Sequence, residues 1–335
     1  MKEQKQLSNF SSSELSYLWI SYSYESMAKY AIMAFLQHVE DEQTKELLEE
    51  GYNFTVKRTE TIKDLFSKEN HPIPQGFTKG DVNLDAPRLF SDALYLEFLL
   101  EILMLELTSY QLAYVESIRP DTKSYFKSNI LDSMSLIEKV KQHSMEQGIF
   151  IAPPRIPIPK SNEFITKESF LAGWLGDKRP LLAMEISHLV LNAKRNGIGH
   201  AAITGFSQVA QAKEVKRFFE RGRDLALKQL EVFSAILHKD DLPTAAKLWT
   251  SEVTDSTTSP FSDRLMLQLI TSLIASGINS YGMAIAMSER RDLGVHYTRL
   301  LAEVAQYADD GAELLIKNGW MEQPPLAANR KKLAK

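Results

Sequence analysis

The chain of 335 residues is 44% apolar and 24% charged, which is enough for two domains with buried cores. A net charge of −4, without a stripe rich in lysine or arginine, argues against a nucleic-acid partner. Since the chain has no cysteine, it has no disulfides, thiolate nucleophiles or cysteine-ligated metal clusters. The polar start, MKEQKQLSNFSSSEL, lacks the apolar stretch of a signal peptide, and we therefore expect a cytoplasmic protein.

The chain contains an internal duplication. A shift of 171 positions aligns residues 12–155 with 183–326 without a gap, and roughly three times as many pairs are identical as average residue usage would give. The clearest matches pair Phe90-Ser91-Asp92 with Phe261-Ser262-Asp263, and Ser117-x-Arg119-x-Asp121 with Ser288-x-Arg290-x-Asp292.

Each copy contains four segments in which apolar residues recur at spacings of three and four, as in amphipathic helices. Alternating patterns typical of strands are missing, so the sequence predicts an all-α protein. The predicted helices span 12–40, 42–69, 89–117 and 121–147 in the first copy, and 182–210, 212–239, 261–289 and 293–318 in the second.

Residues at the segment ends predict where the fourth helices begin and end. Asp121 and Asp292 stand where an N-cap is expected. Gly148 and Gly319 stand where a helix ends in a left-handed residue, and prolines follow both of them. We therefore expect helix four to have the same bounds in both copies.

Two further sets of residues recur in both copies. Ser91-Asp92 and Ser262-Asp263 begin the third helices, and we interpret them as caps of free backbone N–H groups, not as nucleophiles.

Gly51 and Gly222 lie in mid-helix, where glycine costs about 1 kcal/mol relative to alanine. Close approach of a neighbouring helix would explain both glycines.

The connections predict the topology. Few residues join helices one and two, or three and four, so each pair should be antiparallel neighbours. Nearly twenty residues join helices two and three, which is typical of a ferritin-like bundle with a long crossover. The predicted organisation is a four-helix bundle over 1–150, a proline-rich linker and docking segment over 151–180, a second bundle over 181–322 and a polar tail over 323–335.

Several stretches carry a family resemblance, among them GFSQVAQAKEVKRFF, SEVTDSTTSPFSDRLML and SERRDLGVHYTRLLAEVAQYADDGAELLIKNGW. Through them the whole chain resembles a family of proteins of unknown function from spore-forming bacteria, built from tandem ferritin-like bundles and akin in fold to spore coat F-type proteins. The resemblance implies a fold and no reaction. By fold analogy it also suggests an association with the spore.

A ferritin-like fold raises the question of a metal site containing iron, manganese or zinc. Such sites need a Glu from each of two helices and Glu-x-x-His from each of the other two. One such motif exists, Glu185-Ile186-Ser187-His188, and helical angles direct both of its side chains away from the core stripe. We therefore expect no metal cofactor. Weak candidate ligands are Glu185, His188, Glu231, His296 and Glu303.

Two other polar residues lie close to predicted core stripes. Glu106, on the third helix of the first copy, corresponds to Gly277 in the second copy. A carboxylate present in one copy only is expected to pair with a nearby Lys or Arg. His200 points closest to the core of its helix, and we interpret it as a hydrogen-bonded core histidine, not a ligand.

The third helix of the second copy has no Asp, Glu, Lys or Arg between Leu265 and Ser288 and is long enough to cross a membrane. Its counterpart carries Glu97, Glu101 and Glu106, which a lipid-spanning helix would tolerate poorly. We therefore predict that both helices are buried in a water-soluble protein. A stripe containing Ser276 and Ser280 is expected to face the other copy.

The leading hypothesis is a structural or binding protein without a catalytic site, cytoplasmic or spore-associated, which acts through a protein partner or self-association. A metal-binding ferritin-like oxidoreductase or metal-storage protein is the first alternative. A small-molecule or lipid carrier that uses a cavity within one bundle is the second. Phosphate-binding loops, nucleophile elbows and dinucleotide fingerprints are absent from the sequence.

Overall fold

A computed structural model describes residues 9–172, 178–243 and 249–334. Within these ranges the chain is dominated by eight long helices, and β pairing is limited to an isolated bridge between Phe90 and Val253. This confirms the all-α prediction. The long helices are α1 (Ser12–Phe35), α2 (Glu42–Lys68), α3 (Asp92–Glu116), α4 (Pro120–Glu146), α5 (Ala183–Val209), α6 (Lys213–His238), α7 (Asp263–Met287) and α8 (Arg291–Lys317).

Each repeat contributes four of these helices. In the second repeat α5 packs against α6 and α7, and α8 packs against the same two helices, which closes a four-helix bundle. In the first repeat α2 packs against α1 and α4. Tyr110 on α3 also packs against Tyr125 on α4. The helices predicted to be neighbours from the short connections are therefore in contact in both repeats.

The chain divides into two compact units. One contains the residues up to 84, 95–146 and those from 319 onward, and the other contains 85–94 and 147–318. This division differs from the predicted domains because residues 85–94 bond to the crossover of the second repeat. The Ser91 N–H donates to the Glu252 carbonyl at 2.9 Å, and the Thr254 N–H donates to the Leu89 carbonyl at 3.0 Å.

The proline-rich segment continues into a docking segment, which was expected to reach residue 180. Its residues 173–177 lie outside the described part of the chain. On either side, a short 3₁₀ turn covers Glu168–Leu171, and α5 begins at Ala183.

Several predicted helix ends are confirmed. Gly148 and Gly319 have φ of 68° and 67°, the left-handed conformation that favours glycine after a helix. At the start of α7 the hydroxyl of Ser262 accepts the Leu265 N–H at 3.1 Å, and Ser91 accepts the Leu94 N–H at 3.3 Å. These serines are caps, as the sequence predicted.

The predicted N-caps Asp121 and Asp292 are wrong. Both residues lie inside the first helical turn, because α4 begins at Pro120 and α8 at Arg291. The free N–H groups at the start of α4 instead bind a carboxylate from α1. Glu14 Oε1 accepts the N–H of Ile118 at 2.9 Å and that of Arg119 at 2.8 Å.

The second repeat uses the same arrangement. Glu185 Oε1 accepts the N–H groups of Glu289 at 3.1 Å and Arg290 at 2.9 Å, and the Arg179 guanidinium binds both carboxylate oxygens at 2.8 Å. Helical angles directed this side chain away from the core stripe, towards solvent or the other copy, but Glu185 is fully buried and its partners lie in its own repeat. Hydrogen bonds from backbone and guanidinium make burial of this charge tolerable.

The recurring mid-helix glycines lie at close helix contacts, as predicted. A Cβ atom at Gly51 would lie 2.8 Å from Leu99 Cδ1. At Gly222 it would overlap the hydroxyl of Tyr307, which donates to the Phe218 carbonyl at 3.0 Å. Glycine at these positions leaves room for a side chain of a neighbouring helix.

By length and composition, α3 and α7 could each cross a membrane. In the most apolar 18-residue stretch of each helix, 39% of α3 and 28% of α7 is buried inside the protein. Ser280 on α7 is buried, and its hydroxyl donates to Asn192 Oδ1 on α5 at 2.8 Å. The sequence predicted that Ser280 faces the other copy. The observed bond instead joins two helices of the second repeat, so this prediction is wrong for Ser280. The solubility of the chain remains a prediction.

We predict that Glu14→Gln lowers the free energy of unfolding by about 1.5–3 kcal/mol near neutral pH, because it removes the charge that two backbone N–H groups bind. Burial raises the pKa of Glu14, but the N–H donors of Arg119 and Ser11 outweigh this effect and bring it to about 2, below the usual 4.5. The stabilisation is therefore present above pH 4.5 and lost as the pH falls towards 2.

Chemical denaturation between pH 2 and 7 measures this effect. Glu46→Gln, which changes an exposed carboxylate on α2, is the control and should leave the unfolding curve unchanged. Equal acid dependence in wild type and Glu14→Gln would contradict the assigned role.

We also predict that Ser280→Lys destabilises the protein by about 3 kcal/mol or more, because it buries an unpaired ammonium group beside Asn192. Asn279→Lys, one residue earlier on the exposed side of α7, should have little effect. Thermal unfolding of protein purified without detergent measures both. An unchanged melting temperature for Ser280→Lys, or recovery of wild type only from membranes, would contradict burial of α7 in a soluble protein.

Candidate functional site

The weak metal candidates are not gathered into a metal-binding group. Glu231 is exposed on α6, and Glu303 on α8 pairs with Lys228 at 2.8 Å. His188 and His296 are partly or largely buried, and burial lowers the pKa of both. Among the described residues, no three His, Asp or Glu side chains come together in a way that could hold a metal ion.

The two polar residues predicted near the core have the expected kinds of partner. His200 is 7% exposed, and its Nδ1 donates to the Arg223 carbonyl at 3.0 Å. Glu106 accepts a hydrogen bond from Arg58 Nη1 at 2.6 Å. Both side chains are thus hydrogen-bonded inside their own bundles.

Arg58 is the centre of a buried polar network in the first bundle. Its Nη1 also contacts Glu25 Oε1 at 3.3 Å, and its Nη2 donates to the Ser133 hydroxyl at 2.9 Å and the Asn129 carbonyl at 3.3 Å. These partners belong to α1, α3 and α4, so one guanidinium on α2 bonds to all the other helices of its bundle. We call Glu25, Arg58 and Glu106 the ion cluster.

Aromatic rings complete the surroundings of the ion cluster. The Tyr110 hydroxyl donates to Glu25, and the Arg58 guanidinium lies 5.4 Å from the centre of the Tyr110 ring and 5.0 Å from that of Phe54. Tyr125 packs edge-on against Tyr110 at 6.3 Å. Water is thereby largely excluded, and all three members of the ion cluster are at most 3% exposed.

Burial dominates the pKa values in this network. It raises the pKa of Glu25, and burial together with the Glu25 charge raises that of Glu106 to about 8. Burial alone would lower the pKa of Arg58, but the neighbouring Glu25 raises it, so the guanidinium remains charged. Tyr110 and Tyr125 have pKa values well above 10.0, mainly because of burial, and they are neutral.

The second bundle has a neutral network at the same positions. The residues that the 171-residue offset aligns with Glu25, Arg58 and Glu106 are Asn196, Gln229 and Gly277. Asn196 Nδ2 donates to the Tyr281 hydroxyl at 2.8 Å, and that hydroxyl donates to Gln229 Oε1 at 2.6 Å. Tyr281 is the counterpart of Tyr110.

Helical spacing in the sequence indicates Glu106 as a residue near the core, but it does not indicate Glu25 or Arg58. The signal was available, because all three aligned pairs change from a charged residue in the first copy to a neutral one in the second. Three charges of mixed sign lost at one helical level indicate that they interact. The first and third helices each carry an inward carboxylate at this level, Glu25 and Glu106, and the second helix supplies an arginine between them.

The surface of the second bundle has a groove of about 600 Å³ between α6 and α8. Its floor includes Phe218, whose ring stacks on Tyr307 at 4.2 Å. Ion pairs between Lys317 and Glu214 and between Arg221 and Asp310 join its walls. The groove is therefore bridged by paired charges.

The linker between the repeats exposes large apolar side chains. Ile158 is 92% exposed, Phe164 96% and Ile165 63%. The segment on either side is held in place, since Lys194 lies 5.6 Å from the Phe150 ring and Arg179 lies 4.3 Å from the Phe170 ring. Four prolines between residues 153 and 159 restrict the backbone between these anchors.

Comparisons with known proteins agree with the duplication. A family described as "Protein of unknown function (DUF3231)" matches residues 1–161 and again residues 169–333. A solved structure from Bacillus halodurans C-125, described as a "putative spore coat protein", is 16% identical and covers 45% of this chain and 98% of its own, with a TM-score of 0.40. The search of curated proteins gave no match. The chain therefore belongs to the DUF3231 family of proteins of unknown function and contains two tandem copies of its domain.

Proposed function

We propose that the protein is a structural or binding protein whose partner contact is the exposed proline-rich linker, residues 151–167. The observation that carries the proposal is the near-complete exposure of Ile158 and Phe164 in a segment anchored on both sides. Large apolar side chains clustered at a surface are typical of interaction sites.

The linker has the features of a polyproline ligand. Pro153, Pro154, Pro157 and Pro159 limit the conformations of the free segment, so little backbone entropy is lost on binding. Apolar residues between and after these prolines can enter pockets of an aromatic-lined groove. Arg155 and Lys160 are exposed within the same run. The proposed partner is therefore a protein with an aromatic groove flanked by acidic residues.

The ion cluster supports the further proposal that neither bundle uses a metal cofactor. In the first bundle the Arg58 guanidinium already lies between the two inward carboxylates. In the second bundle an amide and a glycine occupy the positions of those carboxylates.

The sequence resemblance to proteins of spore-forming bacteria is the basis for proposing that the protein acts in the cytoplasm or on the spore.

A photo-crosslinking phenylalanine analogue at position 158 or 164 tests the proposed linker function in sporulating cells. We predict that both positions crosslink to the same protein, because both side chains face solvent within one short segment. The same analogue at Glu46, exposed on α2, is the matched control and should not give this product.

A synthetic peptide with the sequence of residues 151–167 should compete for the crosslinked partner. The same peptide with Ile158→Asp and Phe164→Asp should not compete, because the apolar contacts are removed. The absence of a crosslink at both linker positions, or an identical product from position 46, would contradict the proposal.

Elemental analysis of protein purified without chelator tests the metal proposal. We predict that iron, manganese and zinc are all far below one ion per chain. Stoichiometric metal that is lost on Glu231→Ala or His188→Ala would instead support the alternative of a metal-binding ferritin-like protein.

A further inference from the structure

We propose that the interior of the first bundle is a binding site for one proton, shared by Glu25 and Glu106, and that the corresponding positions of the second bundle form no such site. The proposal concerns the ion cluster and is independent of the function proposed for the linker.

The charge balance of the ion cluster is the first argument. Glu25 Oε1 and Glu106 Oε2 both contact the same nitrogen, Arg58 Nη1, at 3.3 and 2.6 Å. One guanidinium cannot neutralise two carboxylates, so full ionisation would leave one net negative charge inside the bundle. A charge buried in this way costs several kcal/mol unless it is compensated. Binding one proton brings the cluster to neutrality.

Among the described residues, the other groups that face the ion cluster do not supply the missing positive charge. Tyr110 donates its hydroxyl proton to Glu25 in a hydrogen bond and remains neutral, and Tyr125 is neutral as well. From α4, Ser133 and the Asn129 carbonyl bond to Arg58 and carry no charge. The groups around the two carboxylates are therefore neutral hydrogen-bonding groups, and the second negative charge has no positive partner among them.

One carboxylate oxygen supports the same conclusion. Glu25 Oε2 is buried and has no hydrogen-bond partner, while Oε1 of the same group bonds to both Arg58 and Tyr110. An ionised oxygen buried without a donor is costly. The raised pKa values of Glu25 and Glu106 agree with a carboxyl group that keeps its proton near neutral pH.

The second bundle provides an internal comparison. Asn196, Gln229 and Gly277 occupy the three positions, and the Asn196–Tyr281–Gln229 hydrogen bonds need no titratable carboxyl group. The three positions that bind the proton in the first bundle therefore carry no titratable carboxyl group in the second.

The sign of the pH effect follows from the raised pKa. The folded bundle keeps a proton that the unfolded chain releases near pH 4.5, so the stabilisation is complete below that pH and is lost as the pH rises towards about 8. Across this window the unfolding equilibrium constant of the first bundle should increase by up to about tenfold per pH unit.

Infrared difference spectroscopy of the full chain detects the proton directly. At pH 7 we expect the C=O stretch of a protonated carboxylic acid, shifted in D₂O and lost at pH 10. Glu106→Gln and Glu25→Gln should each abolish the band, since the remaining carboxylate is then balanced by Arg58. A band that is absent from wild type, or that both variants retain, would overturn the proposal.

Hydrogen exchange measured by mass spectrometry, corrected for the intrinsic pH dependence of exchange, gives a second readout. Protection of peptides from α1–α4 should fall between pH 5 and 8 in wild type and stay constant in Glu106→Gln. Peptides from α5–α8 are one control, and their protection should depend on pH in the same way in wild type and Glu106→Gln. The Glu46→Gln variant is the other control, and its α1–α4 peptides should behave as in wild type. Equal pH dependence of α1–α4 in wild type and Glu106→Gln would also overturn the proposal.

Discussion

A buried carboxylate at the start of the first helix of each repeat caps the start of the fourth helix. Glu14 and Glu185 each accept two backbone N–H groups from the residues immediately before the fourth helix, more than one hundred positions later in the chain. The positive end of the helix dipole and the free N–H groups make this the most favourable place for a buried anion. The first and fourth helices are thereby fixed at the same end of each bundle.

This cap also accounts for the recurring Ser-x-Arg-x-Asp motif. The arginine whose backbone N–H the glutamate binds also pairs through its side chain with the aspartate of the motif, Arg119 with Asp121 at 2.7 Å and Arg290 with Asp292 at 2.8 Å. The aspartate therefore binds the guanidinium of the arginine two positions earlier and is not the N-cap residue of the helix.

The two bundles carry different polar networks at corresponding positions in their interiors. An ion cluster with a guanidinium at its centre occupies the first bundle, and a chain of amide and phenol hydrogen bonds occupies the second. A buried ion cluster is not intrinsically more stabilising than neutral groups of similar volume. The ion cluster instead makes the stability of the first bundle sensitive to pH.

Local and periodic features of the sequence determined the helices, the duplication and several helix ends. Left-handed glycines at positions 148 and 319 and serine caps at 91 and 262 depend on neighbouring residues only, so the sequence predicted them correctly. Partners distant in the chain were decided by the tertiary structure. Glu14 binds Arg119 across 105 positions and Arg58 binds Glu106 across 48, and no local rule selects those partners. Helical angles placed Glu185 away from the core stripe of its helix, because such angles do not include the Arg179 guanidinium and the start of the fourth helix, which only folding brings to this side chain.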